Sequence, residues 1–360
     1  MPKLSVIVSA HNSAAFVPTC LDSILGQDFT DIELIAVDDA SSDDTPRVFD
    51  RYAKRDPRVR VIRLDSNVGA GGARNAALDC ATGDYVWVID SDDWIVPDAL
   101  ATVVRAIDAH QPDVLLIGYA RAFPDGSQTI CTEQGILAAA PPTFKLHQWR
   151  DAINIMHTPW NKVVKRDLIE RAGFRFPKGW HQDLPYSYAM LAGAERISAI
   201  AEPLLIYRQH VGAATATKNV GHLCVLDQWS LTFELVERLS ARPELLRRPL
   251  LDRMAWHLTE QLKKPDRLPM SAWPEFARRA HLLWQSLVPR DYAFPRGLTG
   301  LKYRLLAHHP TVIPLLPRLF ALRRAARRAV GMKRDWDLPA APRAPAAGAR
   351  NGAQPHMVKS

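Results

Sequence analysis

The segment that decides the fold is Tyr85–Trp94, YVWVIDSDDW. Strand-forming residues run from Tyr85 to Ile89 and meet three carboxylates, Asp90, Asp92 and Asp93, before Trp94. Aspartate is depleted in strands and is almost never fully buried without a partner. The stretch is therefore either a solvated turn or half of a site whose other half is positive. Working outward, the runs 4–9 (LSVIVS), 32–39 (IELIAVDD), 59–64 (VRVIRL) and 113–119 (DVLLIGY) share its Val/Ile-rich character. Between them, residues 13–27, 43–55, 71–81 and 97–110 carry helical spacing. Short apolar strands alternating with helices of this length predict βαβ units and a mostly parallel sheet covered on both faces. Ligands collect at the carboxyl ends of such strands. The polar clusters fall there: His11-Asn12 after the first strand, Asp38-Asp39 after the second, Asp90–Asp93 after the fourth.

Downstream, 120–145 reads as an irregular or β-rich crossing. Helices are expected near 147–155, 166–171 and 184–192, and strand-like runs at 197–201 and 203–208. Residues 221–330 turn helical, punctuated by prolines, and the Ala/Pro/Gly-rich stretch from 335 onward reads as disordered. Hydrophobic residues make up 47% of the chain, enough for a sizeable core. The four cysteines show no metal-ligand spacing, which fits reduced thiols in a cytosolic protein. The apolar run at the N-terminus is too short for a signal peptide, and none approaches the ~18 residues of a membrane span. The net charge of +8 is uneven: residues 1–240 carry 23 basic and 30 acidic side chains, residues 241–334 carry 20 and 6. The basic part either meets an anionic partner or is well solvated.

Asp90 and Asp92 lie two apart at a strand end and project to the same side. Hard cations such as Mg²⁺ or Mn²⁺ take such carboxylates and complete their shell with substrate phosphates; the alternative is an acidic turn before the helix near Pro97. Asp38 and Asp39 can accept hydrogen bonds from a nucleobase or ribose, while Ser42 or Asp43 can cap the following helix. The stretch 65–78 (DSNVGAGGARNAAL) fails as a dinucleotide fingerprint, because Arg74 stands where glycine is required, and it lacks the GK[ST] of a P-loop. It instead presents Arg74 and Asn75 on the first turn of a helix, with Arg74 able to grip a phosphate or a strand-end carboxylate.

Together, SVIVSAHNSAAFVPTCLDSILGQ, IELIAVDDASSDDT, NVGAGGARNAAL, YVWVIDSDDW, PWNKVVKRDLI and FPKGWHQDLPYSY resemble, in order, the family 2 glycosyltransferases over about residues 3–210. The resemblance implies a GT-A fold, a Rossmann-like mostly parallel sheet, here with a C-terminal helical extension. It also implies an inverting sugar transfer from a nucleotide-sugar donor with a divalent cation, Mn²⁺ or Mg²⁺, as cofactor. Asp92 would be the metal ligand, with Asp90 also facing the ribose. The donor-binding set it implies is Ser9, His11, Asn12, Asp38, Asp39, Asn67, Arg74, Asp90, Ser91, Arg208 and His210, the last two from a loop over the pyrophosphate. Asp183 would be the general base; its competing role is an N-cap before the helix near 184–192. Trp160, Asn161, Lys162, Trp180, His181 and Gln182 would form the acceptor side, with Trp160 either a stacking surface for a sugar or a core residue.

Three positions depart from the family pattern. Ser9-Ala10-His11 replaces a proline and an aromatic residue, Gln182 replaces the usual glutamate, and alanines stand at 213 and 214 where serines are expected. His11 reads equally as a stacking substitute or a surface histidine.

The implied organisation is a catalytic domain over 1–215, divided at 119/120 into nucleotide-sugar and acceptor halves. A basic helical region follows over 216–334, then the tail at 335–360. The expected partners are a UDP-sugar and a glycan, polyol-phosphate or lipid-linked acceptor, in cell-surface polysaccharide, teichoic-acid-like polymer or glycolipid assembly. Residues 314–334, which interleave apolar side chains with seven Lys or Arg, suit either an anionic membrane surface or a solvated bundle face. The expected location is the cytoplasm, with peripheral contact at the inner face of the membrane in the first case. The competing readings are a nucleotidyltransferase and a degenerate binding scaffold. The first needs a basic glycine-rich loop after the first strand, which SAHNSAAF lacks; the second sits poorly with intact Asp90, Asp92 and Asp183. No aromatic/basic motif points to nucleic acid.

Overall fold

The computed structural model describes residues 2–210, 218–263 and 267–313. Strands β1 (Leu4–Ala10), β2 (Ile32–Asp38), β3 (Val59–Arg63) and β4 (Tyr85–Asp90) alternate with helices α1 (Val17–Leu25), α2 (Thr45–Arg55) and α3 (Gly69–Leu78). A two-residue strand β5 (Trp94–Ile95), helix α4 (Ala99–His110) and strand β6 (Val114–Ala122) follow. Next come β7 (Gln128–Ile130), α5 (Gln134–Ala138), β8 (Lys162–Lys165), α6 (Arg166–Arg171), α7 (Asp183–Gly193) and β9 (Ile197–Arg208). The C-terminal layer is α8 (Cys224–Leu239), α9 (Pro243–Lys263), α10 (Trp273–Leu287) and α11 (Gly297–His308).

The sheet order is β3-β2-β1-β4-β8-β6-β9-β5, with β7 on β6. Parallel pairing joins β1 to β2 and β4, β2 to β3, and β6 to β9; the short strands β5, β7 and β8 pair antiparallel. Side chains alternate between two cores, as the period of a strand requires. Ile7, Val86, Val88, Val114 and Leu116 face the layer that holds α3, α7 and the C-terminal helices. Val6, Val8, Trp87, Ile89, Leu115 and Ile117 face α1 and α4. The first of these cores runs on to Ile313, so the C-terminal helices share it with the sheet.

Local structure departs from the sequence expectation in three places. The helix expected at 147–155 is a single 3-10 turn, Arg150–Asn154. The runs 197–201 and 203–208 form one strand, whose register against β6 shifts beside Gly118. A Cβ on Gly118 would lie 2.4 Å from the Ala201 carbonyl oxygen, so the irregularity needs glycine. Strand β8 was hidden in PWNKVVKR because four residues between two long strands gain their order from pairing rather than from their own periodicity. The loop at 211–217, the basic stretch 314–334 and the tail 335–360 lie outside the described residues.

Candidate active site

The register sets the rim. Ala10 pairs with Asp38 and Ser9 with Asp90, so the end of β1 separates the two acidic strand ends. Asp38 is buried and accepts from the Ser41 N–H at 3.3 Å. Asp39 accepts from the Val68 and Gly69 N–H groups at 2.8 and 2.9 Å, satisfying the first turn of α3. Both Asp39 oxygens are thus engaged in holding the glycine turn. Asn67 is exposed on that turn and accepts from Gly69 N–H. His11 is exposed; its Nδ1 donates to the Asp39 carbonyl at 2.7 Å, which leaves Nε2 to accept from the Asn12 amide at 3.1 Å. Asn12, at φ 51°, ties its loop to Ser42 and Asp43. Asp43, one residue before the N-cap Asp44, accepts from the Thr45 N–H at the start of α2.

Helix α3 delivers Arg74 to β4. Its guanidinium is 2.6 Å from Asp90 Oδ1 and lies 5.4 Å over the Phe176 ring. Beyond β4, the pairing of Trp94 with Ile206 brings the end of β9 against the D-x-D motif. There Arg208 donates to the Asp92 carbonyl and, through its backbone N–H, to Asp93 Oδ1. Its guanidinium packs over Trp94 at 4.5 Å and Phe16 at 5.4 Å. His210 Nε2 is 2.9 Å from Asp92 Oδ2. Ser91 is buried between them.

Asp90, Asp92 and Asp93 offer oxygens within 4.8 Å of one another. Asp93 is fully buried and its Oδ2 has no partner. Burial, then repulsion from the neighbouring aspartates, pushes the Asp92 and Asp93 carboxyls above the usual range, Asp93 far above. An all-oxygen donor set with an orphaned buried oxygen and excess negative charge fits a hard divalent cation.

Asp183 opens α7 on the far side of Arg74. The N-cap position belongs to Gln182, whose side chain makes no capping bond, so the capping alternative for Asp183 is not realised. Burial raises the Asp183 carboxyl, and the field of Arg74 opposes that shift. Gln182 is buried against α3, and its Oε1 has no partner. A Cβ on Gly71 would meet that oxygen at 1.8 Å, so this turn of α3 must be glycine for Gln182 to sit there. Asn75, one residue beyond Arg74, exchanges two hydrogen bonds with the Phe176 backbone and holds the approach to Asp183.

The PWNK segment takes structural roles. Trp160 is 2% exposed, packed edge-on against Tyr119 at 4.7 Å, and its carbonyl accepts from Trp87 Nε1. It is a core residue and offers no open ring face. Asn161 and Lys162 are buried; Lys162 Nζ donates to the Met156 and Thr158 carbonyls and to Asn161 Oδ1 at 2.7–3.0 Å. They brace the 156–158 loop from within, and burial brings the Lys162 amine down to about 7.

Sequence reasoning missed most of a histidine group beside Asp183. His181, at φ 59°, places Nε2 3.2 Å from His222 Nδ1. The His157 and His257 rings lie 4.8 Å apart, and His181 and His257 5.8 Å. Trp180 packs edge-on against His222 at 4.6 Å. Trp229 donates to His257 Nδ1, so the neutral ring carries its proton on Nε2 and donates to the Gln261 amide once that amide turns its oxygen toward the ring. Burial lowers all three of His157, His181 and His257, His181 to about 3. These residues come from four separate parts of the chain, and no local spacing marks them.

Residues 5–173 match the model of Glycosyl transferase family 2. The match to that family thus spans a little under half of the chain. Among curated relatives, it is 31% identical over 218 residues to the putative glycosyltransferase EpsH of Bacillus subtilis, covering 59% of this chain and 62% of EpsH. It is 30% identical over 212 residues to the poly(ribitol-phosphate) beta-N-acetylglucosaminyltransferase TarS of Staphylococcus aureus, covering 58% of this chain and 35% of TarS. The chain thus spans about three fifths of the length of EpsH and less of TarS. The crystal structure of S. aureus TarS 1-349 in complex with UDP-GlcNAc superposes with a TM-score of 0.70 at 21% identity, over 93% of this chain and 94% of that one. The fold is therefore GT-A, with the C-terminal helices included in the match. Among the described residues no helix is long and apolar enough to cross a membrane.

Proposed function

We propose that this chain transfers a sugar from a nucleotide-sugar donor, UDP-linked, to a hydroxyl of a glycan, polyol-phosphate or lipid-linked acceptor, with inversion at the anomeric carbon. One observation carries the reading: Arg74 grips Asp90 of the D-x-D motif while its field acts on Asp183. One guanidinium thus acts on a donor-side carboxylate and on the proposed base, which places the two halves of the proposed displacement in one electrostatic neighbourhood. The relatives support the donor and acceptor classes, since TarS is named for N-acetylglucosamine transfer to poly(ribitol phosphate) and is solved with UDP-GlcNAc.

Asp38 and the exposed His11 face the base and ribose, and Arg208 and His210 stand beside the diphosphate. Asp90 and Asp92 would hold the divalent cation, with Asp93 behind them; when bound, it supplies a Lewis acid for the charge that develops on the leaving diphosphate. Asp183 accepts the proton of the attacking hydroxyl. Its raised carboxyl suits a general base, because proton affinity nearer the working pH strengthens proton transfer while leaving the ionised form populated. Gln182, uncharged where the family carries glutamate, is packed against Gly71 of α3 and supports the start of the helix that carries Asp183. On this reading the enzyme works in the cytoplasm, and residues 314–334 attach it to the inner face of the membrane.

Thermal stabilisation by a panel of nucleotide sugars, with and without Mn²⁺, tests the donor half. A UDP-sugar should raise the midpoint most, and no response to any nucleotide sugar would refute the assignment.

A further inference from the structure

A cavity of about 460 Å³ opens between the 3-10 turn at 150–154 and helices α9 and α11, away from the D-x-D rim. Its volume is within the range of small-ligand sites. Arg150, Asp151 and Asn154 line one wall, Arg253 and Trp256 the other, and Tyr303 the floor. Trp256 is 42% exposed, unusual for so large an apolar side chain, and the Arg253 guanidinium lies 4.2 Å over its ring. Asp252, at the edge, is committed elsewhere: Tyr292 donates to one carboxylate oxygen and Arg248 to the other.

The cavity is coupled to the site through one residue. Arg253 Nε donates to Tyr188 Oη on α7 at 3.2 Å, and that hydroxyl donates to the Ile153 carbonyl at 3.1 Å. Tyr188 and Asp183 share a helix, so both walls of the cavity are anchored to the element that presents the proposed base. The ring of His257, the neighbour of Trp256, belongs to the histidine group beside Asp183. The cavity therefore lies behind the acceptor side rather than the donor side.

The chemistry of the walls selects a ligand. Guanidinium donors on both sides oppose a carboxylate and an amide acceptor, and an indole stands at the mouth. Hydroxyl groups, which donate and accept at once, match that mixture, whereas Asp151 opposes a phosphate. The geometry points to a second acceptor subsite, which takes a neutral saccharide unit of the acceptor chain beyond the one that reacts. This rests on the glycosyl-transfer reading only in supplying a hydroxyl-rich acceptor.

Saturation-transfer NMR on the full chain without donor, using cellohexaose, chitohexaose, maltohexaose and mannohexaose in turn, tests it. At least one should bind, and Trp256→Ala and Asn154→Ala should each weaken it by about tenfold. UDP-GlcNAc binding, measured on the same samples, should stay within about twofold of the parent, which also verifies folding. Three results would overturn the subsite: no binding of any hexasaccharide, equal binding by both variants, or displacement of the saccharide by inorganic phosphate. Loss of UDP-GlcNAc binding in the parent chain strikes the functional reading instead, and leaves the saccharide result standing by itself.

Discussion

The donor rim and the acceptor side are built on opposite electrostatic plans. At the rim, three aspartates crowd together and are answered by Arg74, Arg208 and His210. Around Asp183, buried imidazoles and a lysine are driven toward their neutral forms. The diphosphate and cation of the proposed donor would bring charge of their own, and the rim carries charge to meet them. An acceptor hydroxyl is neutral, and a low-dielectric wall raises the proton affinity of the one carboxylate it meets. The same burial that would be a cost elsewhere would tune Asp183 for the role proposed for it.

Replacing the base separates the two sides most sharply. Asp183→Asn should lower transfer by about 10²–10⁴-fold while donor affinity is unchanged, measured by turnover and by UDP-sugar titration. Retained transfer would move the base elsewhere, His181 being the nearest alternative. Removing rim charge should do the reverse. Asp92→Ala should lose both turnover and the rise in melting temperature that Mn²⁺ confers together with a UDP-sugar, and an unchanged rise would remove the cation from the D-x-D motif.

The shared guanidinium gives an intermediate effect with a readable sign. Transfer requires ionised Asp183, so its rate falls as pH drops through the raised carboxyl. Arg74 opposes that rise, and Arg74→Met should move the acid limb of the pH–rate profile to higher pH as well as weaken donor binding. An acid limb left in place would show that the two sides are not coupled through Arg74.

Lys162→Met should have the smallest effect on turnover and show itself in stability. The folded-state amine, near 7, lies below its unfolded value, so the unfolded chain binds more protons between about pH 7 and 10. Lys162 should therefore contribute stability that rises with pH across that window, by up to about 1.4 kcal/mol per unit, and the slope of the variant should be lower than that of the parent by that contribution. Urea unfolding at several pH values measures the slope.

How much of this could be read in the sequence follows from the range of the interactions. YVWVIDSDDW, IELIAVDD and the glycine turn before Arg74 carry their meaning within a few residues: strand, charge, bend. Their shared rim follows from parallel βαβ winding, and the register of Ser9 with Asp90 and Ala10 with Asp38 agrees with it. Trp160 illustrates the opposite case. An aromatic residue before Asn-Lys has the same local signal whether it stacks on a sugar or fills a core, and only the packing of Tyr119 and Tyr207 around it decides. Asp39 likewise reads locally as a ligand, and only the fold shows that two N–H groups of a turn twenty-nine and thirty residues away are held by its oxygens.

By itself, the order of short strands, helices and acidic strand ends determined the parallel half of the sheet and the acidic residues on its rim, because these are set by local periodicity and spacing. Tertiary structure alone decided which polar groups remain unpartnered, which histidines gather beside Asp183, and that a cavity backs the acceptor side. Those depend on residues far apart in the chain being desolvated together, a property no single segment possesses.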